Sequence, residues 1–116
     1  MVVQMRAGQA LRLWQDVSLA LVREGGPDLS ARQASVLITV YLEPQPHTVR
    51  ALAEKLGVTK PVITRALDTM GRRGLVSRKR DPTDRRNVLV QRTVDGALFL
   101  ERLGDLIVAK AVALPS

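Results

Sequence analysis

Between Thr59 and Arg65 the chain reads Thr-Lys-Pro-Val-Ile-Thr-Arg. Lys60 and Arg65 are cations, Thr59 and Thr64 carry hydroxyls, and Pro61 and Val62 are apolar. Lysine and arginine donate to the O6 and N7 acceptors of guanine. A threonine hydroxyl donates or accepts, and an apolar side chain meets the thymine methyl. Further on, Asp81-Pro82-Thr83-Asp84-Arg85-Arg86 sets two carboxylates beside two guanidiniums. Asp84 is spaced to orient Arg86 or pair with it, while a second guanidinium reaches a phosphate backbone or a narrow minor groove, where negative potential concentrates. Arg78, Lys79 and Arg80 crowd the same stretch. These residue types hold a polyanion; they do not make or break bonds.

The charge distribution agrees. The 116 residues carry 18 Lys and Arg against 11 Asp and Glu, a net charge of +7. Nearly all of that excess lies in 72–92, where Arg72, Arg73, Arg78, Lys79, Arg80, Arg85, Arg86 and Arg92 face only Asp81 and Asp84. Positive charge concentrated in one short segment points to a polyanionic partner. Aromatic residues make up 3 % of the chain, which argues against the stacking platforms that hold single-stranded nucleic acid. Double-stranded DNA is the better fit.

Enzyme chemistry finds no support. His47 is the single histidine, set between Pro46 and Thr48 in what reads as a surface loop. No Gly-rich phosphate loop, Ser/His/Asp set or metal-ligand cluster accompanies it. Asp81 and Asp84 read as partners of the neighbouring arginines rather than as a catalytic pair. There is no cysteine, so disulfides, thiolate metal sites and thiol redox sensing are excluded. No cofactor and no metal are expected. No apolar run reaches the about 18 residues of a membrane span, and Arg6 and Arg12 interrupt the apolar residues at the start. A cytoplasmic protein is expected.

The elements that must position these side chains follow from periodicity. Ala10, Trp14, Val17 and Leu21 recur at helical spacing over 4–24, and Gly25-Gly26-Pro27 stops that helix. Leu11, Leu13 and Ala20 widen its apolar face, so it should be covered on two sides. Ser30 reads as an N-cap with Gln33 closing a capping box, ahead of a helix with Ala34, Leu37, Ile38 and Tyr41 on one face. Thr48 caps a short helix of Val49, Leu52, Ala53 and Leu56 that Gly57 ends. Thr59 caps the next, with Pro61 in its first turn and Ile63, Ala66, Leu67 and Met70 as its apolar stripe, ending at Gly74. The period then changes. Residues 75–80 and 87–92 read as two strands around an Asp81–Asp84 turn. Thr93 caps a last helix with Asp95 in its first turn and Leu100, Leu103, Leu106, Ile107 and Ala111 as apolar positions.

Residues 48–74 are thus two short helices joined through Gly57, a helix-turn-helix. In such a unit the second helix lies in the major groove and its N-terminal residues meet base edges. On a wheel of about 3.6 residues per turn, Ile63, Leu67 and Met70 face inward. Lys60, Pro61, Thr64, Arg65 and Asp68 then face outward. A hairpin directly after such a helix is a wing. The fold class is α+β and mainly helical: a winged helix-turn-helix with a two-stranded β-hairpin wing and terminal dimerisation helices. One domain is expected over 1–116, with 1–27 and 94–116 as dimerisation helices and 28–93 as DNA-binding core and wing. The terminal helices are apolar on more faces than the core can cover, so a homodimer is expected. The residues assigned to DNA are Thr48, Thr59, Lys60, Pro61, Val62, Thr64, Arg65, Arg78, Arg80, Asp84, Arg85 and Arg86. The alternative is a winged-helix protein–protein interaction module without specific DNA binding; such a module has no need of a basic wing.

The stretch 48–93 resembles the MarR family of transcriptional regulators. The resemblance is carried by Leu52–Thr59, Ile63-Thr64-Arg65, Arg73–Val76 and, most specifically, the Asp-x-x-Asp-x-Arg wing at Asp81–Arg86. It extends more loosely over 28–103. It implies a homodimer on a pseudo-palindromic operator, with recognition helix 59–73 in the major groove and wing 75–92 on the backbone or minor groove. It implies repression, and a response to a small aromatic effector ligand or an oxidant. Pro61 stands where the family often has a small polar residue, and the region after the wing is shorter than is usual in the family.

Overall fold

Local capping chemistry sets most of the helix ends. The computed structural model describes residues 4–115; the expected terminal segments thus extend, at residues 1–3 and 116, outside the described residues. Helix α1 (Ala7–Glu24) begins after Arg6, whose N–H donates to Gln9 Oε1 (3.0 Å), and ends at Gly25 in the left-handed region, φ 68°. It starts three residues later than its apolar period suggested. Helix α2 (Ala31–Leu42) has the reciprocal capping box: Gln33 N donates to Ser30 Oγ (3.1 Å) and Ser30 N to Gln33 Oε1 (2.9 Å). Its buried residues are Val36, Leu37 and Val40. Ile38, expected inside, is exposed and Tyr41 is half-buried. Val36 and Val40, one turn apart, join Leu37 in the core cluster, which turns the buried face of α2 away from Ile38.

Strand β1 (His47–Thr48) leads into α3 (Val49–Leu56), capped by Thr48 Oγ1, which accepts from Ala51 N (3.0 Å), and closed by Gly57 at φ 69°. Helix α4 (Lys60–Arg72) follows. Strands β2 (Val76–Arg80) and β3 (Val88–Arg92) form the expected antiparallel hairpin, with Val76 opposite Arg92 and Arg80 opposite Val88. The sheet has a third strand that the sequence reading did not include. β1 pairs with β3, His47 opposite Val90 and Thr48 opposite Leu89, giving the order β1-β3-β2. This overturns the placement of His47 in a surface loop. Pairing with the buried Val90 draws it inside, 7 % exposed, and its ring is satisfied there: Nε2 donates to the Glu43 carbonyl (3.1 Å). Helix α5 (Val94–Val112) closes the described order, with Thr93 Oγ1 accepting from Gly96 N (2.9 Å) and Asp95 in the first turn.

The chain divides into two compact units, residues 29–100 and residues 1–28 with 101–116. In the first, α2, α3, α4 and the sheet share a core of Val36, Leu37, Leu52, Ile63, Leu67, Met70 and Val90. Tyr41 ties the base of the hairpin to the start of α5. Its hydroxyl donates to the carbonyls of Leu75 (2.8 Å) and Thr93 (3.1 Å) and accepts from Thr93 N (2.9 Å). In the second unit, Leu11, Trp14 and Val22 of α1 and Val108 and Val112 of α5 are exposed. No helix among the described residues is long and apolar enough to cross a membrane.

Candidate nucleic-acid interface

Helix α4 buries Ile63, Ala66, Leu67 and Met70 and leaves Thr59, Lys60, Pro61, Thr64 and Arg65 exposed at its start. Thr59 takes the extended N-cap backbone, but its hydroxyl makes no cap hydrogen bond, against expectation. The reason is local. An N-cap side chain bonds the N–H of the second or third helical residue. Here the second is Pro61, which has none, and Val62 N donates instead to the Thr59 carbonyl (3.1 Å). The Thr59 hydroxyl is left for an outside partner.

Two grooves flank the first half of this helix. One, of about 180 Å³, is lined by Val49, Arg50, Lys60, Thr64, Arg86, Asn87 and Val88. The other, of about 310 Å³, is lined by Ser30, Arg32, Gln33, Val62, Arg65, Ala66 and Thr69. The structure thus brings Lys60, Thr64 and Arg86 together, and sets Val62 and Arg65 on the opposite flank. Arg50 and Arg32 were missed by the sequence reading. Each is the second residue of its helix, where a cation opposes the helix dipole, but that position alone does not show which groove the side chain joins.

The wing tip is built by its acids. Asp84 Oδ1 accepts from Arg86 N and Nε (both 3.1 Å), and Oδ2 accepts from Arg86 Nη2 (3.2 Å). Arg86 stays 84 % exposed while its orientation is set. The guanidinium of Arg86 holds the Asp84 carboxyl below the usual carboxylate range. Asp81 Oδ1 accepts from Thr83 Oγ1 (2.7 Å) and Thr83 N (2.9 Å), which lowers its pKa likewise. Two assigned arginines are engaged within the protein. Arg78 Nη2 pairs with Asp68 Oδ1 at 2.7 Å, joining β2 to α4, and Arg80 Nη1 donates to the Arg85 carbonyl (2.8 Å). The Thr48 hydroxyl serves the α3 cap. Arg85 is exposed. Arg92 is exposed but also engaged within the protein: Nε donates to the Val40 carbonyl (2.8 Å) and Nη2 to that of Glu43 (3.0 Å). Among the described residues no group of three or more His, Cys, Asp or Glu is placed to hold a metal ion.

The model of the MarR family matches residues 29–88. That is more than half of the chain. The chain belongs to the MarR family. A curated relative, the organic hydroperoxide resistance transcriptional regulator of Bacillus subtilis (strain 168), is 39 % identical over 59 residues, covering 51 % of this chain and 40 % of the relative. A MarR-family transcriptional regulator from Rhodococcus sp. RHA1 superposes with a TM-score of 0.66 at 30 % identity, over 84 % of this chain and 66 % of that one. A cysteine-to-serine mutant of MarR from E. coli, complexed with operator DNA, gives 0.66 at 29 % identity, over 86 % and 66 %. The chain therefore spans two fifths of the curated relative and just under two thirds of these two structures. The MarR match begins at Leu29, takes in α2, α3, α4 and β2, and reaches the first residue of β3. It covers every residue at the two grooves and the wing tip; α1 and α5 lie outside it.

Proposed function

We propose that this chain is a sequence-specific double-stranded DNA-binding transcriptional regulator, a repressor of MarR type. It acts as a homodimer on a pseudo-palindromic operator. Helix α4 enters the major groove, and the wing lies on the backbone or in the minor groove. The observation that carries this reading is the set of unburied cations on one unit: Lys60 and Arg65 at the start of α4, and Arg85 and Arg86 at the wing tip. The relative from E. coli is complexed with operator DNA, which supports the same partner here. The contacts assigned to DNA are Thr59, Lys60, Pro61, Val62, Thr64 and Arg65 on or beside α4, Arg85 and Arg86 on the wing, with Asp84 holding Arg86. Arg78, Arg80 and Thr48 position these elements.

The dimer is assigned to α1 and the end of α5, where Trp14 is 66 % and Val112 82 % exposed in the single chain. Apolar residues exposed in number on one unit mark an interface, and two-fold pairing would set two recognition helices about 34–36 Å apart, one DNA turn. Work on chromosomal DNA places the protein in the cytoplasm. These residues contain no cysteine, so no thiol switch is proposed for them, and a small aromatic molecule is the effector class proposed. The test is selection of duplexes from a random pool. A recurring two-fold motif supports the reading; recovery of no preferred sequence, with binding to a protein partner instead, would replace it with the interaction module.

A further inference from the structure

We infer that the groove between Arg50, Lys60 and Arg86 seats a single phosphate of the DNA backbone, and that Lys60 is a phosphate ligand rather than a base reader. This deepens the proposed DNA binding and rests on it. Three cations from three elements line one groove: Arg50 from the first turn of α3, Lys60 from the first position of α4, Arg86 from the wing. Like charges converge there at an electrostatic cost, and Arg50 adds an unfavourable position against its own helix dipole. Among the described residues neither Arg50 nor Lys60 forms an ion pair. The nearby carboxylate, Asp84, hydrogen-bonds Arg86, and its attraction to Arg50 is the smallest of the influences on it. A bound anion is what removes the cost. Thr64 and Asn87 add neutral hydrogen-bond donors at the same wall, and Val49 and Val88 add an apolar one. The volume, about 180 Å³, is below the about 300–1,000 Å³ of small-molecule sites, so a compact anion fits better than an aromatic effector.

The position of Lys60 on α4 decides its role. The buried stripe is Ile63, Ala66, Leu67 and Met70. At about 100° per residue, the middle of the opposite face is held by Pro61, Arg65 and Asp68. Lys60 and Thr64, one turn apart, lie at its edge on the side of α3 and the wing. A helix in the major groove meets base edges with the middle of its outer face and a phosphate backbone with its edge. Lys60 thus shares a phosphate with Arg50 and Arg86, and Arg65 reads bases.

The test measures affinity against salt for Arg50→Ala, Lys60→Ala and Arg102→Gln, the last removing a charge from α5. Two probes are used: a duplex selected from a random pool and a scrambled duplex of the same length. Circular dichroism checks the fold of each, and Arg50→Lys keeps the charge where Arg50→Ala alters the helix. Each phosphate contact contributes about 0.9 to the salt slope. Because the seat holds one phosphate, Arg50→Ala and Lys60→Ala combined should lower the slope by up to about 0.9 per subunit, so that affinity falls up to about 3–4-fold less per subunit between about 50 and 200 mM salt, and each single variant should lower it by a part of that. Both should weaken the two duplexes by the same factor, while Arg50→Lys and Arg102→Gln keep the slope. An unchanged slope in the folded Arg50→Ala/Lys60→Ala double variant overturns the seat, as does a Lys60→Ala variant that loses preference for the selected duplex. A wild-type protein that binds neither duplex refutes the DNA reading itself, and the seat with it.

Discussion

Gly96→Ala sets two effects of opposite sign against each other. Alanine is favoured over glycine within a helix by about 0.5–1 kcal/mol, and Gly96 lies in the first turn of α5. Yet a Cβ there would overlap Tyr41 Oη and the Leu75 carbonyl oxygen and stand 2.8 Å from Tyr41 Cζ. Neither neighbour can yield cheaply. Leu75 O is backbone, and the Tyr41 hydroxyl is held by Leu75 O, Thr93 O and Thr93 N. Expelling the ring forfeits hydrogen bonds of about 1 kcal/mol each and leaves a backbone N–H without its partner. It also lifts the half-buried ring off the core cluster it packs against. The overlap outweighs the helix gain, and Gly96→Ala should destabilise by about 2–4 kcal/mol. Urea unfolding at fixed protein concentration reads this directly, since the stability of the proposed dimer would depend on concentration. In a Tyr41→Phe background the alanine should cost less, because the hydroxyl is gone, but still destabilise, because Leu75 O is still there. A Gly96→Ala variant as stable as the wild type, or more so, would refute the junction described between the wing base and α5.

Arg65→Ala should change which sequences are preferred and cost about 1–3 kcal/mol on the best site, whereas Arg86→Ala should weaken binding evenly across sequences; selection repeated with each variant shows whether the two roles are reversed. Leu103→Glu or Ile107→Glu should yield folded monomers with much weaker operator binding, read by sedimentation velocity with circular dichroism on the same sample; loss of helical signal would make these positions core rather than interface. The Asp84 carboxyl should titrate below the ordinary aspartate range, and Arg86→Gln should raise it. A lowered folded-state pKa means that the contact stabilises the wing above the ordinary value of about 3.9 and loses this as pH falls through the lowered one. Carboxyl chemical shifts against pH report it, and an Asp84 that titrates normally in the wild type would contradict the pairing.

Much of the fold can be read from local chemistry. The capping box of Ser30 and Gln33, the Thr48 cap, the left-handed Gly57 and the inward stripe of α4 depend on residues close in sequence. What escaped depends on distant partners. β1 is two residues long, too short to show a period, and exists because β3 lies forty residues on. The burial of His47 follows from that pairing. The face of α2 turned because the elements packed on it select Val36 and Val40 over Ile38. At the candidate site the wing cations were legible as a charge excess in 72–92, and Lys60 and Arg65 as outward-facing positions at the start of α4. Arg32 and Arg50 were not, because each stands alone in sequence and joins the others only when its helix packs beside α4. The Asp68–Arg78 pair likewise needs α4 and β2 side by side.

Duplex DNA binding through its cations is the activity proposed for this unit. Fluorescence anisotropy of a labelled selected duplex, titrated with the wild-type protein across salt, tests it most directly. With about 6–10 phosphate contacts per dimer, affinity should fall about 10³–10⁵-fold between about 50 and 200 mM salt, along a straight line in log–log form. A binding curve that does not move with salt, or no binding at the lowest salt, would contradict the account.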